Sequence, residues 1–87
     1  MDNTKKNWEK SEHLLEEIVE LQKKKLFTLG RGIVPNLTAE DILQPNDYLE
    51  LENNPVFRHE EGILIGTQSV QIALKALRRE LDASYEI

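Results

Sequence analysis

His59, Glu60 and Glu61 are the residues with the clearest potential for chemistry, since they stand side by side near the start of a predicted helix. Metal sites on helices take ligands at i and i+3 or i+4, because that spacing brings two side chains to one side. His59 and Glu61 are two residues apart and diverge, and the productive positions hold Gly62 and Ile63. The first turn favours the acids as partners of the helix dipole instead. We expect no metal and no general base here.

The other motifs with chemical potential also have structural interpretations. His13 has acids at helical spacing, but they lie on a strongly polar face that solvent would cover. The Gly30–Gly32 segment follows a predicted helix, whereas phosphate-binding loops precede one, so we interpret it as the end of that helix. No serine has a placed histidine and acid partner. The sequence therefore predicts no enzyme, with catalytic residues none and cofactors none.

Size and composition indicate a single helical domain over residues 1–87. The chain has no cysteine, so neither a disulfide nor a thiolate metal site can supplement its core. Hydrophobic residues make up 39% and charged residues 31%, which is typical of a folded protein rather than a disordered one. Small chains without such supports often become stable by oligomerising.

Charge and hydropathy exclude two classes of partner. The net charge is −5, and the few basic clusters lie near predicted helix ends, so we expect no nucleic acid partner. The longest purely apolar run is 63–65, too short to span a bilayer, so we expect no membrane association. The N-terminus is charged and lacks an apolar region of the kind found in signal peptides, which predicts a cytoplasmic protein.

The first long helix is predicted over about residues 4–29, with a cap at Asp2, Asn3 or Thr4 and an end at the glycines that follow. Its apolar residues fall within an arc of roughly 160° on a helical wheel. They are Trp8, Leu14, Leu15, Ile18, Val19, Leu21, Leu26 and Leu29. Phe27 falls outside the arc, and we expect it to contact the following segment.

The second long helix is predicted over about residues 54–82, with a frayed tail at 83–87. Asn54 followed by Pro55 is typical of an N-cap and first helical position. The apolar arc spans roughly 200°, which exceeds what one neighbouring helix covers. The polar side is predicted to face solvent and comprises Gln68, Gln71, Lys75, Arg78 and Arg79.

Small residues at intervals of four and three form a narrow stripe within that arc, with large apolar residues on both sides. The stripe comprises Gly62, Gly66, Ser69, Ala73 and Ala76. Such a stripe lets another helix approach closely, so we predict an interface there. The predicted interface residues are Gly62, Ile65, Gly66, Ser69, Val70, Ile72, Ala73, Ala76 and Leu77.

The crossover at residues 30–53 carries too many apolar residues to be a solvated tether. Thr38 and Asp41 resemble a capping box before a short helix near 39–44 that Pro45 would stop, and Asp47 to Glu50 repeats the device before a short helix near 48–52. We expect the crossover to pack as a lid over one end of the long helices.

These elements predict an all-α fold: an antiparallel pair of long helices joined by a structured crossover, forming a four-helix bundle as a homodimer. The function we expect is that of a small interaction or adaptor protein that binds itself, with another protein as a further candidate partner. One alternative is a ligand-binding or enzymatic domain with a crevice near His59, Glu60 and Glu61. A second is a cochaperone-like or antitoxin-like partner of another protein.

Overall fold

A computed structural model describes residues 3–44 and 47–85 of the chain as a helical hairpin. Helix α1 spans Thr4–Ile33, a short 3₁₀ helix spans Asp41–Leu43, α2 spans Leu49–Glu52 and α3 spans Pro55–Tyr85. The two long helices pack against each other in antiparallel directions, and α2 contacts both. The predicted all-α fold with two long helices is confirmed, in a molecule about 53 Å long and 19 Å wide.

Helix α1 continues to Ile33, so the prediction that Gly30 and Gly32 end it is wrong. The cap is Val34, whose N–H donates to the Gly30 carbonyl at 2.7 Å. Gly30 is buried inside the helix because the crossover packs on it: a Cβ there would lie 2.7 Å from Leu37 Cδ2. The absence of a side chain at Gly30 lets the crossover approach the helix closely. Backbone conformation is not the reason for a glycine here, because none of the described glycines has a positive φ. At the other end Asn3 caps α1 without a side-chain hydrogen bond, and Asp2 lies outside the described residues.

Helix α3 begins as the sequence predicts. The Asn54 side-chain oxygen accepts hydrogen bonds from the N–H groups of Val56 and Phe57, both at 3.0 Å. Pro55 occupies the first helical position, where a missing N–H removes no helical hydrogen bond. The helix extends to Tyr85, so residues 83–85 of the predicted frayed tail are helical, and residues 86–87 lie outside the described residues.

The crossover is ordered by its own hydrogen bonds. The Thr38 N–H donates to the Asp41 carboxylate at 2.9 Å, and the Asp41 N–H donates to the Thr38 hydroxyl at 3.3 Å, which forms the predicted capping box. The second predicted box is wrong, because α2 starts after Tyr48 without a side-chain cap. The Tyr48 hydroxyl bonds to Asp41, and these contacts lower the pKa of Asp41, Thr38 contributing most. Pro45 lies outside the described residues.

The core lies mainly at the closed end of the hairpin, where the crossover meets the long helices. Its buried residues are Val19 and Leu26 of α1, Leu37, Leu51 of α2, and Phe57 and Leu64 of α3. Phe57 and Leu64 are seven residues apart and therefore point to the same side of α3. The core fixes how α3 is rotated about its axis, and a continuous helix carries that rotation to its far end.

This rotation corrects the predicted polar side of α3. Gln68, Gln71 and Arg78 are half-buried toward α1 rather than solvated, whereas Lys75 and Arg79 are exposed as predicted. The reason is heptad spacing: Gln71 and Arg78 follow Leu64 at intervals of seven, so they lie on the same side of α3 as the buried Leu64. The more apolar arc of α3 consequently faces away from α1.

Candidate functional site

All nine residues of the predicted interface are exposed in the hairpin. Apart from the neighbouring backbone of α3 itself, nothing lies within 4 Å of a Cβ built on Gly62 or Gly66, so these two glycines of the stripe have open space beside them. Large apolar residues beside the stripe are also exposed, among them Val70 at 52% and Ile72 at 68%. Single exposed hydrophobic residues are ordinary, but a continuous set on one helix is typical of an interaction site.

Helix α1 adds a second row of exposed apolar residues that the sequence reasoning placed in its core-facing arc. Leu14, Ile18 and Leu21 follow one another at intervals of four and three, and each exposes between 43% and 66% of its surface. The residues that contact α3 belong to a neighbouring row, of which Val19 and Leu26 are buried. The arc of roughly 160° thus divides into one row that packs and one that does not.

The exposed rows of the two helices lie on the same side of the hairpin. Lys25, one turn after Leu21, pairs with Glu60 at 3.2 Å, and Glu60 is one turn before Ile63. Leu29 of α1 lines a cleft together with these two residues, which confirms the juxtaposition. We call this side of the hairpin the shared face. Its six large apolar residues are Leu14, Ile18, Leu21, Ile63, Val70 and Leu77.

The opposite side of the hairpin is different because the crossover reaches over it. A cleft of about 450 Å³ is lined there by Phe27, Ala39, Ile42, Glu61 and Ile65, among others. Phe27 is half-buried and lines this cleft together with Ala39 and Ile42 of the crossover, and Arg31 lies 5.7 Å above its ring. Ile65 and Ile72 therefore flank the stripe of small residues on the side away from the shared face.

Polar pairs join the two long helices along the line where they pack. Gln22 Nε2 donates to the Glu60 carboxylate at 2.8 Å, and Lys25 adds an ion pair. These contacts, with Gln22 contributing most, lower the pKa of Glu60. Nearer the open end, Gln71 Nε2 donates to Glu16 at 2.7 Å.

The outermost polar pair joins Arg78 of α3 to Glu12 of α1. It raises the pKa of Arg78, so the guanidinium remains charged. Two of the polar residues of α3 that the sequence assigned to solvent, Gln71 and Arg78, therefore join the long helices, whereas large apolar residues such as Val70 and Leu77 are exposed.

The three residues considered first for chemistry are not brought together. Glu60 pairs with Lys25 on the shared-face side, whereas Glu61 pairs with Arg58 at 2.9 Å and lines the cleft on the other side. His59 is exposed between them. Glu60 and Glu61 thus line two different clefts, and neither cleft is lined by all three residues.

Within the part of the chain that the structure describes, no group of three or more metal-ligating side chains converges. His13 contacts Glu17 at 2.9 Å on an exposed surface of α1. In the same residues, no helix combines the length and the hydropathy needed to cross a membrane.

Comparison of the chain with family models, with curated proteins and with solved structures finds no match. The class of the molecule is therefore defined by its own geometry: an all-helical hairpin with a core at the closed end and an apolar face that the described chain leaves uncovered.

Proposed function

We propose that this chain is a small, non-catalytic helical interaction protein that self-associates through the outward surface of α3. The proposed interface comprises the stripe of small residues and the large residues beside it, with Val70 and Leu77 on one side and Ile65 and Ile72 on the other. The assembly would be a homodimer in which two hairpins form a four-helix bundle.

The observation that carries the proposal is the exposure of the most apolar surface in the hairpin. Between residues 62 and 77 the sequence has one charged residue, Lys75, yet α1 covers only the side of α3 that carries Leu64 and Gln71. Each kilocalorie of hydrophobic free energy corresponds to burying roughly 40 Å² of apolar surface at about 25 cal/mol per Å². Covering several half-exposed Leu, Ile and Val side chains would therefore favour association.

The small size of the core supports the same conclusion. Six hydrophobic side chains are buried among those described, most of them at one end of a molecule 53 Å long. A second copy would extend the core along the open half of the hairpin, where polar pairs now join the helices. Domains of this size commonly gain stability by this route.

A charge placed in the proposed interface tests this function. Ala73 and Ala83 are both exposed alanines of α3, but only Ala73 belongs to the stripe. We expect Ala73→Glu to convert the dimer to a monomer at micromolar concentration, because it would bury an unpaired carboxylate. Ala83→Glu is the matched control and should leave the dimer intact, with helicity of both variants checked by circular dichroism. A dimer that is equally stable in both variants would contradict the proposed interface.

A further inference from the structure

We infer that two copies of the hairpin dock through the shared face, with their acidic crossovers at opposite ends of the assembly. This inference rests on the proposed self-association and deepens it, because it adds Leu14, Ile18 and Leu21 of α1 to the interface. It also makes Val70 and Leu77 central to the interface and Ile72 peripheral.

The two sides of the hairpin are not equally free to receive a partner. Ala39 and Ile42 of the crossover line the cleft beside Phe27 and Ile65, so the crossover occupies part of the side opposite to the shared face. On the shared face, Leu21 of α1 is 66% exposed and Ile63 of α3 is 41% exposed. A partner that approaches the shared face meets apolar side chains from both long helices at once.

The dimensions of the shared face suit a second hairpin. Val56 and Leu81 are also exposed and continue the α3 row of the shared face, seven residues before Ile63 and four after Leu77. From Val56 to Leu81 the face runs about 38 Å at 1.5 Å per residue, and two adjacent helices are about 20 Å wide. The resulting area of about 750 Å² is close to the ~800 Å² that each partner buries in a typical specific interface. An identical helix pair is the simplest partner of matching length and width, since two such pairs complete a four-helix bundle.

Charge also favours a second copy over a charged partner. The ionic groups one turn from Leu21 and Ile63 on the shared face, Lys25 and Glu60, pair with each other at 3.2 Å, so they leave no excess of one sign that would select a basic protein or a nucleic acid. Two chains of net charge −5 can approach through such a face without placing like charges at its centre.

The distribution of charge sets the orientation of the two copies. In the structure α1 ends at Ile33 and α3 begins at Pro55, so the crossover comprises residues 34–54, which carry five acids and no base. Residues 1–12 and 75–87 together carry six bases and six acids. Crossovers at the same end would place ten carboxylates close together. Crossovers at opposite ends would instead place each acidic crossover beside its partner's open end, where bases and acids are equal in number, which lowers the repulsion.

A matched pair of substitutions tests which side of the hairpin is buried. Leu21 and Ile72 are 66% and 68% exposed in the hairpin, so neither variant is expected to disturb the fold. We expect Leu21→Glu to raise the dissociation constant of the dimer about a hundredfold or more, and Ile72→Glu to raise it less than about tenfold. Dissociation by Ile72→Glu but not by Leu21→Glu would overturn the docking side and leave the proposed self-association standing.

A distance measurement tests the orientation. The chain has no cysteine, so Asn53→Cys places one spin label per copy at the closed end. Ile18 is the middle residue of the exposed row on α1, and we take its level as the centre of the dimer. The closed end lies about 22 Å from that level along the helix axis, so opposite orientations place the two labels about 45 Å apart. Double electron–electron resonance should report that distance. A distance below about 25 Å would overturn the orientation, because it would place the crossovers side by side. A signal without dipolar coupling would overturn both the orientation and the proposed dimer.

Discussion

The closed and open halves of the hairpin are built in opposite ways. At the closed end, where the crossover packs against the long helices, Leu51 and Phe57 are both 0% exposed. Toward the open end, polar pairs such as Arg78 with Glu12 join the helices, while Leu77 and Val70 remain exposed. The same two helices thus bury their apolar side chains at the closed end and leave large apolar side chains exposed toward the open end. The difference indicates that the closed end specifies the hairpin fold, and it leaves the open half as the surface on which the proposed association depends.

The largest expected effect is on the free energy of unfolding, and it distinguishes substitution of a buried leucine of α2 from substitution of an exposed one. Leu51 is 0% exposed and Leu49 is 67% exposed, two residues apart in the same short helix. Leu51→Ala should lower the free energy of unfolding by about 2–5 kcal/mol, because it leaves a cavity among packed side chains. Leu49→Ala should change it by less than about 0.5 kcal/mol. Urea denaturation checks both values, and equal losses would contradict a core centred on the closed end.

A second comparison concerns Gly30 and Gly32 of α1, which sequence reasoning interprets together as the end of that helix. A methyl group added at Gly32 would have no neighbour within 4 Å, so Gly32→Ala should stabilise the helix by up to about 1 kcal/mol. At Gly30 the added methyl would meet Leu37 at 2.7 Å and Ile42 at 3.1 Å. Overpacking there typically costs about 1–3 kcal/mol and outweighs the gain in helix propensity.

Thermal unfolding of the two glycine variants provides the measurement. We expect the melting temperature to rise for Gly32→Ala and to fall for Gly30→Ala. If both substitutions raised it, the crossover would not be packed against α1 at Gly30.

The smallest expected effect concerns acid stability at the boundary between the two halves. Contacts with Gln22 and Lys25 lower the pKa of Glu60 from its usual 4.5. The lowered pKa stabilises the fold above pH 4.5, and that contribution is lost as the pH falls through the value in the folded protein. Glu60→Gln should therefore make the urea midpoint less dependent on pH below 4.5. Glu52→Gln, at an exposed position of α2, is the control and should retain the dependence of the unsubstituted chain.

Local signals in the sequence are sufficient to predict most of the elements. Asn54 and Pro55 start α3, and Thr38 and Asp41 form their capping box, because these motifs act through backbone groups within three residues. The end of α1 is not predictable in this way, because Gly30 serves a packing contact with the Leu37 side chain and such a contact leaves no local signal.

The rotation of α3 is the part of the fold that hydrophobic periodicity does not predict. Most of the apolar residues of α3 lie on the side that faces away from α1. The side that packs against the rest of the hairpin is determined by two buried residues, Phe57 and Leu64. A signal is nonetheless present: Phe57, Leu64, Gln71 and Arg78 recur every seven residues, as coiled-coil positions do. Periodicity weighted by hydrophobicity alone overlooks such positions when half of them are polar.

The exposed row on α1, formed by Leu14, Ile18 and Leu21, escapes sequence reasoning for a related cause. A helical wheel shows that these leucines and isoleucine share an apolar arc with Val19 and Leu26. It does not show that α3 covers only part of that arc, because the covered width depends on how the two helices pack.

The mass of the unsubstituted chain in solution tests the central claim, that the uncovered surface of the hairpin is an interface between two copies. Sedimentation equilibrium over a hundredfold dilution series from high micromolar concentration should yield twice the 10.1 kDa mass of one chain, with dissociation only on dilution. A mass of 10.1 kDa at every concentration, together with a fully cooperative thermal transition, would contradict the claim, because the hairpin would then be complete without a partner.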